Sequence, residues 1–201
     1  MQINTDLSGL LGITLAIIAL LVRVPRVQAF PQRQRAAVLM GAIVLVSIPL
    51  WGLSLAGVVR GITGDLSIST LVLLALALLR TLSGCALMEE ANRLLMLRAI
   101  AIAAVVFYPL ALGFSAFDPY RLGYGNLWFM AGLLLLAVWS VLRYSTFLAL
   151  CIALAVAAWS AGWYESPNIW DYLLDPWLAI YAIVVQGKYW WARRRKIDGH
   201  L

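Results

Sequence analysis

The stretch Leu127–Leu142, LWFMAGLLLLAVWSVL, runs sixteen residues without a charge and stops at Arg143. A run with no polar face has nothing to turn toward water. It reads as a helix covered on all sides by protein or lipid. Six more stretches are nearly as apolar, at 7–22, 36–59, 66–88, 95–114, 145–163 and 176–191, with Arg80, Arg98 and Lys188 their only charges. The first is short for a hydrocarbon core of ~30 Å. Pro49 and Pro109 fall inside stretches two and four, where a proline ring clashes with the preceding turn and kinks the helix.

Composition agrees. The 201 residues are 64% hydrophobic and 12% charged. Soluble domains average ~45–50% apolar and ~25% charged. The expectation is an all-α integral membrane protein, one domain over 1–201, with a basic cytoplasmic tail at 192–201. The gaps are too short to house a soluble domain of ~50 residues.

Charge orients the bundle. Thirteen of the fifteen basic residues lie in gaps one, three and five or the C-terminal tail, and only Arg60 and Arg121 lie in the others. This counts Arg80 with gap three, by snorkelling, and Lys188 with the tail. Basic short loops mark the cytoplasmic side. The N-terminus is therefore expected outside and the C-terminus inside, a parity that seven spans satisfy. Six of the nine acids fall on the outer side, giving formal charges of −4 outside and +10 inside. The net +6 is thus a topology signal that also suits anionic lipid headgroups, and no nucleic-acid partner is expected. The arginine-rich basic set fits a bacterial inner membrane.

The outer gaps hold the most distinctive residues. In YESPNIWDYLLDPW, residues 164–177, Ser166-Pro167 and Asp175-Pro176 each read as an N-cap followed by a first helical residue. A short interfacial helix is expected near 167–174. Asp118-Pro119-Tyr120 repeats the Asp-Pro-aromatic device of Asp175-Pro176-Trp177. An aromatic belt at headgroup depth accounts for these residues. So does a shallow acidic and aromatic cleft for a sugar, a cation or a lipid headgroup, built from Asp118, Tyr120, Arg121, Glu165, Trp170, Asp171 and Trp177. Asp175, if it caps a helix, is already engaged by backbone amides.

Within the spans the candidate polar residues are Arg80, Glu89 and Glu90. Intramembrane charges are functional candidates, and Arg80 would pair with Glu89 or Glu90 across a bend at Gly84. Glu89-Glu90-Ala91-Asn92-Arg93 is one residue short of the Glu-Glu-x-x-x-Arg signature of CAAX-type intramembrane metalloproteases. That family also needs histidines on neighbouring spans, and the sole histidine here is His200, so the family is excluded. Glu89 and Arg93 are expected to pair at i, i+4. One tail histidine also excludes bis-histidine haem, His-based zinc sites and Ser-His-Asp triads. No metal, cofactor or catalytic residue is expected. Cys85 and Cys151 sit in apolar surroundings and read as buried thiols. Small residues from Ala149 to Gly162 place the sixth span at the centre, and Leu-rich parts of spans three and five should face lipid or a partner.

The leading expectation is a non-enzymatic accessory or assembly subunit of a larger envelope system, with a membrane-protein partner or a second copy. The alternative is a small-molecule or lipid transporter, or its substrate-binding membrane subunit. Third is a membrane enzyme with an outward-facing carboxylate site.

Overall fold

The computed structural model describes residues 5–50, 52–84, 87–143 and 145–198. Within these the chain is helical apart from one small hairpin. The order is α1 (Thr5–Leu21), α2 (Pro25–Gln28), α3 (Gln32–Ser47), β1 (Pro49–Leu50), β2 (Leu53–Ser54), α4 (Leu55–Thr63), α5 (Ile68–Ser83) and α6 (Glu90–Ala111). A 3-10 turn (Pro119–Gly123), α7 (Leu127–Leu142), α8 (Thr146–Ser160), α9 (Trp170–Leu173) and α10 (Pro176–Asp198) follow. Cys85 and His200 lie outside the described residues.

The all-helical expectation holds, and each of the seven longest helices overlaps one of the seven apolar stretches, though α3 covers only the first half of the second. The finer expectation of seven membrane-crossing helices is not supported by helix length and composition. Among the described residues, only the 22-residue α6 is long and apolar enough to cross a membrane by length and composition. Helices α1, α5, α7 and α8 are apolar but only 17, 16, 16 and 15 residues long. At ~1.5 Å per residue they cover about 22–26 Å, against a core of ~30 Å.

The second stretch is broken rather than kinked. Proline disfavours the helical region for the residue before it, and Ile48 is extended at φ −68°, ψ 124°. Pro49–Leu50 then pairs antiparallel with Leu53–Ser54, with Gly52 at φ 86° in the turn. Ser54 restarts the helix by accepting from the Gly57 amide at 3.1 Å. Arg60, expected in the gap after this stretch, instead lies in α4, which stops at Gly64 with φ 73°. Leu55, Val58 and Ile62 of α4 are exposed, whereas Arg60 is turned inward.

Three other boundaries move. Helix α5 ends at Gly84 in the left-handed region, so the third stretch stops there instead of bending through to 88. The helix expected at 167–174 is one turn, Trp170–Leu173. Ser166 Oγ accepts from the Asn168 amide at 3.1 Å, and Asn168 Oδ1 accepts from the Trp170 amide at 3.0 Å. Such local side-chain bonds compete with helix, so Ser166 does not act as the N-cap of a helix starting at Pro167. Helix α10 runs on through Arg193–Arg195 to Asp198, so most of the expected basic tail is helical. Arg and Lys are good helix formers and suit a helix C-terminus.

Packing divides the helices into two groups. Ile13, Val46, Ala56 and Leu66 form the core of α1, α3, α4 and the start of α5. Met96, Leu97, Ala104, Cys151, Ile152 and Ala182 belong to a larger core of α6, α8 and α10. Ile68, Ala155, Tyr164 and Tyr172 join the two through α5, α8 and the 164–172 segment. Helix α8 packs on α5, α6, α7 and α9, with Ala155 fully buried, as its small side chains suggest. Cys151 is a buried free thiol. On α7, Leu133 and Ser140 turn inward, while Leu134, Leu135, Val138 and Leu142 are exposed.

Candidate functional site

At the acidic end, loops and helix starts interlock. Tyr120, Trp170 and Asp171 come together. The Tyr120 hydroxyl donates to Asp171 Oδ2 at 2.9 Å, and Ser166 Oγ donates to the same oxygen. Asn168, fully buried, donates to the Tyr120 carbonyl at 2.8 Å, and the Ile169 amide donates to the Gly123 carbonyl at 3.0 Å. The Trp170 indole N–H reaches the Pro119 carbonyl at 3.0 Å. Its ring lies 4.3 Å from that of Phe107 and 4.7 Å from that of Phe129. A Cβ on Gly123 would sit 1.8 Å from Asn168 Oδ1, so this approach requires glycine. Burial and the Asp171 carboxylate push the Tyr120 phenol above its usual range. Burial does the same for Tyr164 and Tyr172, whose rings lie 5.0 Å apart.

The other expected outer residues do separate things. Asp118 accepts from the Tyr120 amide at 2.9 Å and caps the 3-10 turn. Arg121 is exposed. Glu165 lies 3.9 Å from Arg60, at the margin of an ion-paired group. Arg60 grips Asp65 with Nε at 2.6 Å and Nη2 at 3.1 Å, and reaches Asp6 with Nη1 at 2.8 Å. The half-exposed Trp177 donates to the Thr63 carbonyl at 3.4 Å.

Asp175 does more than cap. Its Oδ1 accepts from the Leu178 amide at 2.8 Å, as the cap of α10. Its Oδ2 accepts from the Ser67 amide at 2.9 Å, from Ser67 Oγ at 2.7 Å and from Thr70 Oγ1. A carboxylate that is 4% exposed thus stands between the N-termini of α5 and α10, where both helix dipoles favour a negative charge. Sequence reading found the cap. The partners on α5 lie 105–108 residues away and left only a faint signal, the Ser67-x-x-Thr70 start of an apolar run.

A cavity of about 590 Å³ opens between α1 and α5 on one side and α6 and α10 on the other. Ile13, Ile17, Leu73, Leu74, Ala77 and Leu178 line its walls. Val59, Thr63, Leu66 and Trp177 line it near the starts of α5 and α10, and Arg23, Arg80, Glu90 and Arg93 line its basic end. Helix α5 packs on α1 and α8, and α10 packs on α6, so the space between these pairs stays open. Glu90 pairs with Arg93 at 2.5 Å, spaced i, i+3, in place of the expected Glu89–Arg93 or Arg80 pairing. The Arg93 guanidinium also donates to Tyr181 Oη at 2.9 Å. Among the described residues, Arg23 and Arg80 form no ion pair. Glu89 does not line the cavity. No group of three or more His, Cys, Asp or Glu side chains among the described residues is placed to hold a metal ion.

Compared with known protein families, with curated proteins and with solved structures, the chain matches none.

Proposed function

We propose that this chain is a multi-pass membrane protein, without enzymatic activity of its own, that binds an amphiphile in the groove between α1/α5 and α6/α10. It would serve as a lipid- or small-molecule-handling subunit. The observation that carries the reading is the 590 Å³ cavity, apolar along its length and charged at one end. Ligand pockets commonly hold 300–1,000 Å³ and pair apolar walls with a few placed polar groups.

Several features support the membrane setting. The exposed surface is rich in large apolar side chains, among them Leu134, Leu135 and Leu142 on α7, Ile102, Val105 and Val106 on α6, and Ile62 on α4. Soluble monomers rarely expose contiguous apolar patches beyond a few hundred Å². At the basic end, the Arg194 and Arg195 guanidinium groups lie 3.7 Å and 3.6 Å from the ring centres of Trp190 and Trp191. Aromatic and arginine side chains together suit headgroup depth. We take seven spans with the N-terminus outside, in a bacterial inner membrane, as the arrangement that fits the alternation of basic gaps. Helices of 15–17 residues would then be flanked by snorkelling side chains or a locally thinned bilayer.

Purification in mild detergent followed by native mass spectrometry tests the proposal. A bound lipid or small amphiphile at about one per chain is expected, and Ala77→Trp, which fills the groove, should remove it. A chain that keeps no ligand, or keeps it unchanged in Ala77→Trp, would defeat the reading. The accessory-subunit reading rests on a different observation, the exposed apolar side of α7. It requires a stoichiometric protein partner in the same spectrum, lost on Leu135→Trp.

A further inference from the structure

We infer that the inner mouth of the groove holds the phosphate of an anionic phospholipid from the cytoplasmic leaflet, with an acyl chain lying along α5. This rests on the groove being a ligand site at all, and adds which ligand and which leaflet.

The argument is one of charge and length. Three guanidinium groups, Arg23, Arg80 and Arg93, face the mouth against a single carboxylate, Glu90, leaving an excess of two positive charges. That carboxylate is already held by Arg93 through both oxygens, at 2.5 Å and 2.9 Å. Arg93 is further oriented by Tyr181. Arg80, from the last turn of α5, acts on Glu90 electrostatically without reaching it as an ion pair. Planar guanidinium forks match phosphate oxygens in shape and in hydrogen-bond count. A zwitterionic lipid would bring its own cation to a mouth whose one carboxylate is spent. An anionic lipid brings none.

Length selects the leaflet. The α5 wall from Thr70 to Arg80 spans ten residues, or about 15 Å at ~1.5 Å per residue. That is half of a hydrocarbon core of ~30 Å, the depth of one leaflet. The basic end marks that leaflet as the cytoplasmic one. Thr63, Leu66 and Trp177 line the far end, so an acyl chain anchored at the basic mouth would end against them.

The full chain, stripped of endogenous lipid in detergent, is offered equal amounts of a phosphatidylglycerol and a phosphatidylcholine of the same acyl composition. Occupancy is read by native mass spectrometry. Phosphatidylglycerol should be preferred by roughly tenfold or more, since each basic side chain near a headgroup contributes ~1 kcal/mol. The double variant Arg23→Gln, Arg80→Gln should abolish that preference with its melting temperature unchanged, and Arg80→Lys should keep most of it. Equal binding of both lipids that Ala77→Trp removes overturns the headgroup inference and leaves the groove reading standing. Binding that Ala77→Trp does not touch overturns both. Inorganic phosphate that binds the stripped chain while neither lipid does would show a phosphate site with no lipid role, and also overturns the inference.

Discussion

The two ends of this molecule treat charge in opposite ways. At the acidic end the charges are spent on the fold. Asp175 accepts four hydrogen bonds, Asp171 accepts from Tyr120 and Ser166, and Asp65 holds Arg60. At the basic end Arg23 and Arg80 line an open groove with no ion-pair partner among the described residues. Buried charges are tolerated when paired and hydrogen-bonded, whereas exposed unpaired ones are available to a ligand. A group satisfied by its own chain is poorly placed to serve a substrate. The difference therefore moves the search for function from the acidic face, where the composition is most distinctive, to the basic face.

The comparison is most exposed to failure at Asp175. Asp175→Ala strands the Ser67 amide, the Ser67 and Thr70 hydroxyls and the Leu178 amide at a buried junction. A loss of about 3–5 kcal/mol is expected, with helices α5 and α10 separating first. Thermal denaturation in detergent measures it, and a loss under 1 kcal/mol would mean that the acidic end is not built on this carboxylate. Next in size is Gly123→Ala. The added methyl meets Asn168 Oδ1 at 1.8 Å and must push the 119–123 turn off the 168–171 segment. Overpacking of this kind costs about 1–3 kcal/mol. Trp170 fluorescence should shift as its contacts with Phe107 and Phe129 loosen. An unshifted spectrum with unchanged stability would mean that the contact is dispensable.

How far this could be read from sequence depends on the range of the interaction. Helix α7 begins and ends where the apolar run does, because Asn126 caps it and Arg143 closes it with nothing competing between. The break at Pro49 was visible as a disturbance, but a lone proline does not distinguish a kink from a hairpin. That outcome also depends on Gly52 adopting positive φ and on Ser54 capping a new helix. The 167–174 segment misleads because Ser166 and Asn168 are good caps and equally good turn formers. Asp118, Glu165 and Asp171 were grouped by composition, yet Asp118 caps its own turn while Asp171 reaches across to Tyr120. The groove had no local signature. It arises where two helix pairs fail to meet, and sequence singles out its Arg80 and Glu90 only as pairing partners, since nothing local shows that they share a mouth with Arg23 and Arg93.

The smallest expected effects come from making one change at both ends. Arg60→Gln removes a guanidinium that holds Asp65 through two contacts and Asp6 through a third, with only 18% of the side chain exposed. Hydrogen bonds to charged groups contribute about 1–2 kcal/mol net, so Arg60→Gln should lower stability by that order. Gly9 lies so close to this guanidinium that a Cβ there would stand 2.3 Å from Arg60 Nε, so the vacated space is not readily refilled by α1. Arg80→Gln removes a charge that is unpaired among the described residues, and surface changes of this type stay within about 0.5 kcal/mol. Its effect should appear instead in lipid retention. If Arg80→Gln proves as destabilising as Arg60→Gln in lipid-free detergent, then Arg80 is as much a part of the fold as Arg60. The two ends would then differ only in sign of charge, and the inner mouth would lose its claim to a ligand.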